Sequence, residues 1–326
     1  MSTPPAVAPP QMGRREWLLL LLLAGVWSSS FLFFAVALAE VPPLTVALGR
    51  VGLAAPVLLV VLVATGHRLP TDWRSWRQFL AMGALNNAIP FSLIAWGQLH
   101  IGSGLAAIFN ATTPLFAVGL AHFLTPDDRL TANRLAGLLC GLAGVVLLVG
   151  PSAVAGIGVA GWSELAVLAA ACSYASASLY GRRFRGTPPL VAATGMLCGA
   201  TVIEAPLVLL IDRPWQLPAP GIGTIAALFA VALLCTALAY LLYFRILATA
   251  GATNLMLVTL LIPVGALLLG AIFRGERATG LTLAGLGLIL AGLAAIDGRL
   301  FRRADQSRVS RQAAASRSKR SERRAT

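Results

Sequence analysis

Two ionisable side chains, Glu204 and Arg50, lie inside long apolar runs. Placing such a group in hydrocarbon costs roughly 3 kcal/mol on insertion scales, so each asks for a reason. Glu204 could bind and release a coupling proton, or pair with a cationic solute. Its plainer role would be a carboxyl hydrogen-bonded to a neighbouring helix or reaching water near the helix end. Arg50 could attract a solute carboxylate. Its plainer role would be snorkelling, or contact with backbone carbonyls. Pro206, two residues beyond Glu204, would loosen the helix there.

Uncharged polar groups form a second set. Asn86 and Asn87 precede Pro90, and Asn110 precedes Pro114. Shifted by 149 positions, Asn87 falls on Thr236, Asn110 on Thr259 and Pro114 on Pro263. Matched polar groups at mid-depth could line a shared cavity, or simply bond helix to helix, at about 1 kcal/mol or less each. Trp27 and Tyr240, deep in their runs, could stack on an apolar or aromatic ligand, with Trp96, Tyr174 and Tyr243 as further candidates. Trp73, Trp76 and Trp215 fit an interfacial belt. The two prolines would each remove a helix hydrogen bond and could act as hinges. Asn254 stands where it could cap a helix start.

Nothing in the chain resembles catalytic or metal-binding machinery. His67, His100 and His122 are scattered, and no H-E-x-x-H occurs. Cys140, Cys172, Cys198 and Cys235 have no metal-ligand spacing and read as small buried hydrophobes. No G-x-x-x-x-G-K-[ST] loop is present to bind a nucleotide. The expectation is therefore no catalytic residue, no metal and no cofactor. An intramembrane enzyme is the different-class alternative, and it lacks a nucleophile with a base.

The elements that must carry these residues follow from composition. Of 326 residues, 58% are hydrophobic and 11% charged, with a mean hydropathy of +0.82. A soluble domain of this length needs far more polar surface. Ten segments are long and apolar enough to be read as spans of a ~30 Å hydrocarbon core: 17–38, 42–64, 76–96, 101–123, 132–150, 160–181, 188–211, 221–244, 252–273 and 279–297. The first imitates a secretory signal peptide, with Arg14–Arg15 ahead of it and Ala37-Leu38-Ala39 behind. Its apolar run is longer than such a signal needs, and its loss would break the symmetry described next.

The chain repeats itself. Pro42-Pro43-Leu44 returns as Pro188-Pro189-Leu190, Gly102 to Pro114 returns as Gly251 to Pro263, and Asp128-Arg129-Leu130-Thr131 as Glu276-Arg277-Ala278-Thr279, at nearly constant offsets. Two five-helix units are expected, spanning 17–150 and 151–298, between an N-terminal segment 1–16 and a basic tail 299–326. An odd number of spans per unit inverts the second unit relative to the first. The charge of +13 is uneven, with ten of the 25 basic residues from Arg299 onward. Placing both termini in the cytoplasm leaves only Arg213, Arg274 and Arg277 on the outer side, a strong inside-positive bias. A sequence pI near 11.2 therefore reflects topology and contact with anionic lipid rather than nucleic-acid binding. The tail from about Arg302 reads as disordered. The Gly-rich fifth and tenth spans, with Gly137, Gly141, Gly144, Gly285 and Gly292, suit close helix packing, within one chain or across a homodimer.

These residues resemble the EamA-type family of the drug/metabolite transporter superfamily. Trp27-Ser28-Ser29-Ser30-Phe31 resembles its tryptophan–glycine–serine opening, with Ser28 where glycine is usual. Pro42-Pro43-Leu44 with Arg50, and the doubled Gly–Pro stretches each followed by an acidic loop and a Gly-rich span, resemble its second, fourth and fifth helices. The likeness covers residues 17 to 298. It implies an all-α polytopic membrane protein of ten transmembrane helices in two inverted five-helix repeats, set in the inner (plasma) membrane. It also implies movement of small organic solutes, often export of amino acids or other metabolites. A lipid flippase is the nearer alternative.

Overall fold

A computed structural model describes residues 12–124, 131–154 and 158–297. The Asp128–Arg129–Leu130 stretch and the basic tail lie outside the described residues. Ten helical units follow one another: α1 (Arg14–Ala37), α2 (Pro43–Ala64), α3 (Trp73–Gly97), α4 (Ser103–Leu124), α5 (Ala132–Val154), α6 (Val159–Tyr180), α7 (Pro189–Leu207), α8 (Ile222–Gly251), α9 (Val258–Arg274) and α10 (Gly280–Asp297). No strand occurs among the described residues. Seven units are both long and apolar enough to cross a membrane; α9 and α10 are shorter apolar helices, and α6 carries Glu164 and several serines.

Local chemistry sets the ends. Proline at the first turn starts α2 and α7, where a missing N–H costs nothing. The Asp72 carboxylate accepts from Ser75 N at 2.8 Å and caps α3. The apolar pattern would close the eighth helix at 244, before Arg245. The helix instead runs on to Gly251, whose φ of 77° breaks it. The Asn254 Nδ2 donates back across the break to Ala250 O at 2.9 Å.

Two interior irregularities matter more. α3 contains a π turn at Ala84–Ala88, and α8 contains one at Leu233–Leu238. They sit 149 positions apart, the same offset that relates the polar residues on them. Each re-aims its side chains and frees backbone groups, which is why such turns gather at functional positions.

Packing has an exchange pattern. The main contacts between the halves α1–α5 and α6–α10 are α1–α9, α4–α6, α3–α7, α2–α8, α3–α6, α1–α8, α2–α7, α4–α9 and α5–α10. Exchanging the halves maps this set onto itself. Lipid gives helices no hydrophobic reason to associate, so close backbone approach has to hold them. The α5–α10 pair illustrates it: a Cβ on Gly292 would lie 2.5 Å from Gly137 O, and one on Gly144 would lie 2.8 Å from Gly285 O. The glycine stripes foreseen from sequence are thus used within one chain.

Replacing Gly292 with valine should force α5 and α10 apart and cost about 1–3 kcal/mol, as overpacking does. Gly287, which has open space where a Cβ would be, should accept alanine without loss. Thermal unfolding of the two variants in one detergent compares them directly, and equal midpoints would contradict the packing described.

Candidate functional site

A cavity of about 500 Å³ lies between the halves, with walls from α1, α2, α3, α4, α6, α7, α8 and α9. It reaches the end of the bundle where Gly181, Phe184 and the exposed Pro189 connect α6 to α7. Its lining farthest from that connection is Phe34, Arg50, Phe91 and Ile94, all buried, which makes this the blind end.

Arg50 dominates the blind end. It is 8% exposed. Its Nε donates to Thr236 Oγ1 at 3.0 Å and its Nη2 to Cys235 O at 3.4 Å, both on the α8 π turn. The guanidinium lies over the Phe91 ring at 3.9 Å, with Phe34 at 5.4 Å. Stacking between rings is an inexpensive way to hold a cation away from water. Thr236 in turn donates to Val231 O at 2.9 Å. The π turn therefore presents both an acceptor hydroxyl and a carbonyl to the one arginine in the wall.

The α3 π turn supplies the opposite wall. Asn86 Nδ2 donates to Tyr240 Oη at 3.2 Å, and Tyr240 Oη donates to Asn87 Oδ1 at 3.2 Å. Consecutive asparagines reach one hydroxyl because the widened turn rotates them together. Asn86 faces the cavity, whereas Asn87 is fully buried behind it. In the middle of the cavity, α4 breaks at Ala111–Thr112 just ahead of Pro114. Thr113 Oγ1 donates to Asn110 O at 2.8 Å, the carbonyl that proline cannot serve. Asn110 Oδ1 is buried with no hydrogen-bond partner. Aromatic rings fill the remainder: Trp27 packs on Tyr243 at 6.0 Å, Phe91 on Tyr174 at 6.4 Å and Tyr240 on Phe244 at 6.1 Å.

Of the residues singled out from sequence, the cavity gathers Trp27, Arg50, Asn86, Asn110, Pro114, Thr236, Tyr240 and Thr259. Asn87, Glu204 and Pro263 stand behind the wall. Glu204 is 1% exposed, and neither carboxylate oxygen has a hydrogen-bond partner. Trp96 points outward at 39% exposure, beside His100. Sequence reasoning passed over Phe34, Phe91 and Met82, which carry no polar flag in an apolar chain. It also passed over Glu164, 4% exposed in α6. Ser28 donates to Ala24 O at 2.7 Å and Ile262 O at 3.0 Å, tying α1 to α9 in a slot that Gly265 leaves open.

A helical bundle of apolar segments around a polar-flecked cavity, with two halves packed by exchange, is the architecture of a membrane carrier. The chain belongs to the EamA-like transporter family, whose family pattern matches residues 15–150 and 161–296. It is 28% identical over 290 residues to a probable amino-acid metabolite efflux pump of Salmonella typhimurium, covering 86% of this chain and 94% of that one. It is 27% identical over 274 residues to the uncharacterized inner membrane transporter YedA of Escherichia coli K12, covering 81% and 85%. A transporter of Archaeoglobus fulgidus is 25% identical over 280 residues, covering 86% and 97%. One solved crystal structure shares the fold at a TM-score of 0.62 and 22% identity, covering 89% of this chain and 99% of that one. Family and relatives point to transport rather than catalysis.

Tyr240→Phe should destabilise the protein by about 1–3 kcal/mol, because it strands the buried Asn87 oxygen. In an Asn87→Leu background the same substitution should cost far less. A double-mutant cycle read by thermal unfolding in detergent checks it, and additive effects would dissolve the proposed bridge.

Proposed function

We propose that this protein is a secondary transporter that exports small organic solutes of the amino-acid or related-metabolite class. It works by alternating access between two inverted five-helix repeats, 17–150 and 151–298. The cavity between the halves, with an arginine at its blind end and matched π turns on opposite walls, carries this reading. Exchange symmetry of the helix contacts and the 149-position spacing of the π turns support ten spans in two inverted units. The inside-positive count of Lys and Arg favours both termini and the cavity mouth on the cytoplasmic side of the inner membrane.

In this scheme Arg50 receives the anionic group of the solute, and the rings of Trp27 and Tyr240 hold its body. Asn86, Asn110, Thr236 and Thr259 supply neutral hydrogen bonds. Arg50 keeps donor capacity after serving Thr236 and Cys235, since a guanidinium has five N–H groups. Glu204, behind the wall and without a hydrogen-bonding partner, is the candidate for coupling transport to a proton. Asn87 orients Tyr240. Pro114 and Pro263 serve as hinges in α4 and α9.

Purified protein in liposomes, offered a pool of amino acids, organic acids, nucleosides and cationic drugs, should take up carboxylate-bearing solutes selectively. Arg50→Gln should reduce that uptake by about tenfold or more, the value of one lost charge-assisted contact. A pH gradient should change the rate, and Glu204→Gln should abolish that change. Uptake indifferent to pH would leave the carrier and remove Glu204 from coupling. Uptake of nothing by folded protein would overturn the reading.

The hinge role has its own test. Pro114→Ala with Pro263→Ala should slow uptake several-fold while membrane insertion and yield stay normal, because alanine restores helix bonds that the movement needs loosened. Unchanged rates would dismiss the hinges.

A further inference from the structure

The end of the bundle opposite the cavity mouth is closed by a repeated device. Three carboxylates each reach across from one half to the first turn of a helix in the other. Glu40, in the α1–α2 connection, accepts from Gly221 N at 2.6 Å at the start of α8. Asp212, just past α7, accepts from Thr45 N at 2.8 Å and from Thr45 Oγ1 at 2.7 Å at the start of α2. Glu276, in the α9–α10 connection, accepts from Ser103 N at 2.8 Å, Ser103 Oγ at 2.9 Å and Gly104 N at 3.0 Å at the start of α4.

A helix N-terminus offers unsatisfied N–H groups and a partial positive charge, so a carboxylate there is an effective and replaceable clasp. An acid from the same chain segment usually caps its own helix; here all three are supplied by the opposite half. The fit at Glu276 is close: a Cβ on Gly270 would lie 2.5 Å from Glu276 Oε2 and 2.8 Å from Ser103 Oγ. Glu276 N also donates to Gly270 O at 3.1 Å, which fixes the acid over that glycine. The cavity wall includes none of these seven residues, and its mouth is at the far end.

We propose that Glu40, Asp212 and Glu276 form a latch that holds the non-mouth end shut, and that releasing these caps is the step that exposes the cavity to the other side. This rests on the alternating-access reading above. Each cap joins α2, α4 or α8, the helices that carry Arg50, Asn110 and Tyr240, to the half that must move away. Because the caps are short carboxylate bonds at the rim, water can replace each one as it opens. The barrier is then the simultaneous loss of three, not the exposure of an unsatisfied core.

The latch is tested on the full chain by electron paramagnetic resonance distances, with the four native cysteines replaced by alanine. One spin-label pair sits at the latched end, on Ala39→Cys and Ala278→Cys, and another at the mouth, on Phe123→Cys at the end of α4 and Ala248→Cys in α8; each pair straddles the two halves, and all four sites are exposed. Glu40→Gln, Asp212→Asn and Glu276→Gln together should raise the population with a long latched-end distance by about tenfold or more, and shorten the mouth-end distance in the same fraction of molecules. Glu276→Gln alone, which retains one good acceptor, should give a smaller shift in the same direction and covers the event that the triple variant fails to fold. Unchanged distances overturn the latch, as does lengthening at the latched end without reciprocal closing of the mouth, which is local fraying. Absence of solute uptake with the reciprocal shift intact would instead count against the transport reading and leave the latch standing.

Discussion

The constraint on which this structure depends is that lipid satisfies no polar group and rewards no apolar one. Every backbone N–H and C=O must be answered within the protein, and helices must hold together by fit. The consequences appear at three scales. Small residues let backbones touch, as at Gly137 and Gly292. Helix ends left open by the fold are answered by acids from elsewhere, as at Ser103 and Thr45. Where a helix must open its own ladder, at the two π turns and ahead of Pro114, side-chain hydroxyls take up the freed carbonyls.

The site grows out of those openings. Widening each helix by one residue turns a hydroxyl, a carbonyl and the Asn86 amide toward the space between halves, with Asn87 behind them. Arg50 is then held by two groups that the α8 π turn carries, the Thr236 hydroxyl and the Cys235 carbonyl. Its charge is tempered by two aromatic rings rather than by a carboxylate at hydrogen-bonding distance. A cation held in this way stays free to meet an anion, whereas one locked in an ion pair would first have to lose its partner.

Much of this was legible from residue order alone. The helices appear near their expected positions because apolar length and proline placement are local properties. The repeat was legible because matched prolines and polar residues keep their spacing. The π turns were not: nothing in Ala84-Leu85-Asn86-Asn87-Ala88 announces an extra residue per turn, and the contacts of that segment with α6 and α7 are visible only in the fold. Asn87 was expected to line a cavity and Glu204 to couple a proton, but whether a side chain faces a cavity or stands behind its wall depends on helix rotation. A twenty-residue apolar run lacks the polar face that would reveal it. The aromatic wall of Phe34 and Phe91 escaped notice for the same reason. In a membrane chain an apolar residue is ordinary whichever way it points.

The acids at the rim show a different limit. Asp212, Glu40 and Glu276 sit in short connections, where a charge is unremarkable and needs no partner. Only the fold reveals that each meets a helix start from the other half. Sequence symmetry related Glu276 to Asp128 as loop acids, without saying that Glu276 answers α4 instead of its own neighbours. The distinction matters physically. An acid capping its own helix stabilises that helix whatever the halves do, so it adds equally to every conformation. An acid capping across the interface stabilises one arrangement of the halves and is lost in the other. In a bundle whose interior offers little polar attachment, such rim contacts have leverage on the balance between states that their modest individual strength would not suggest.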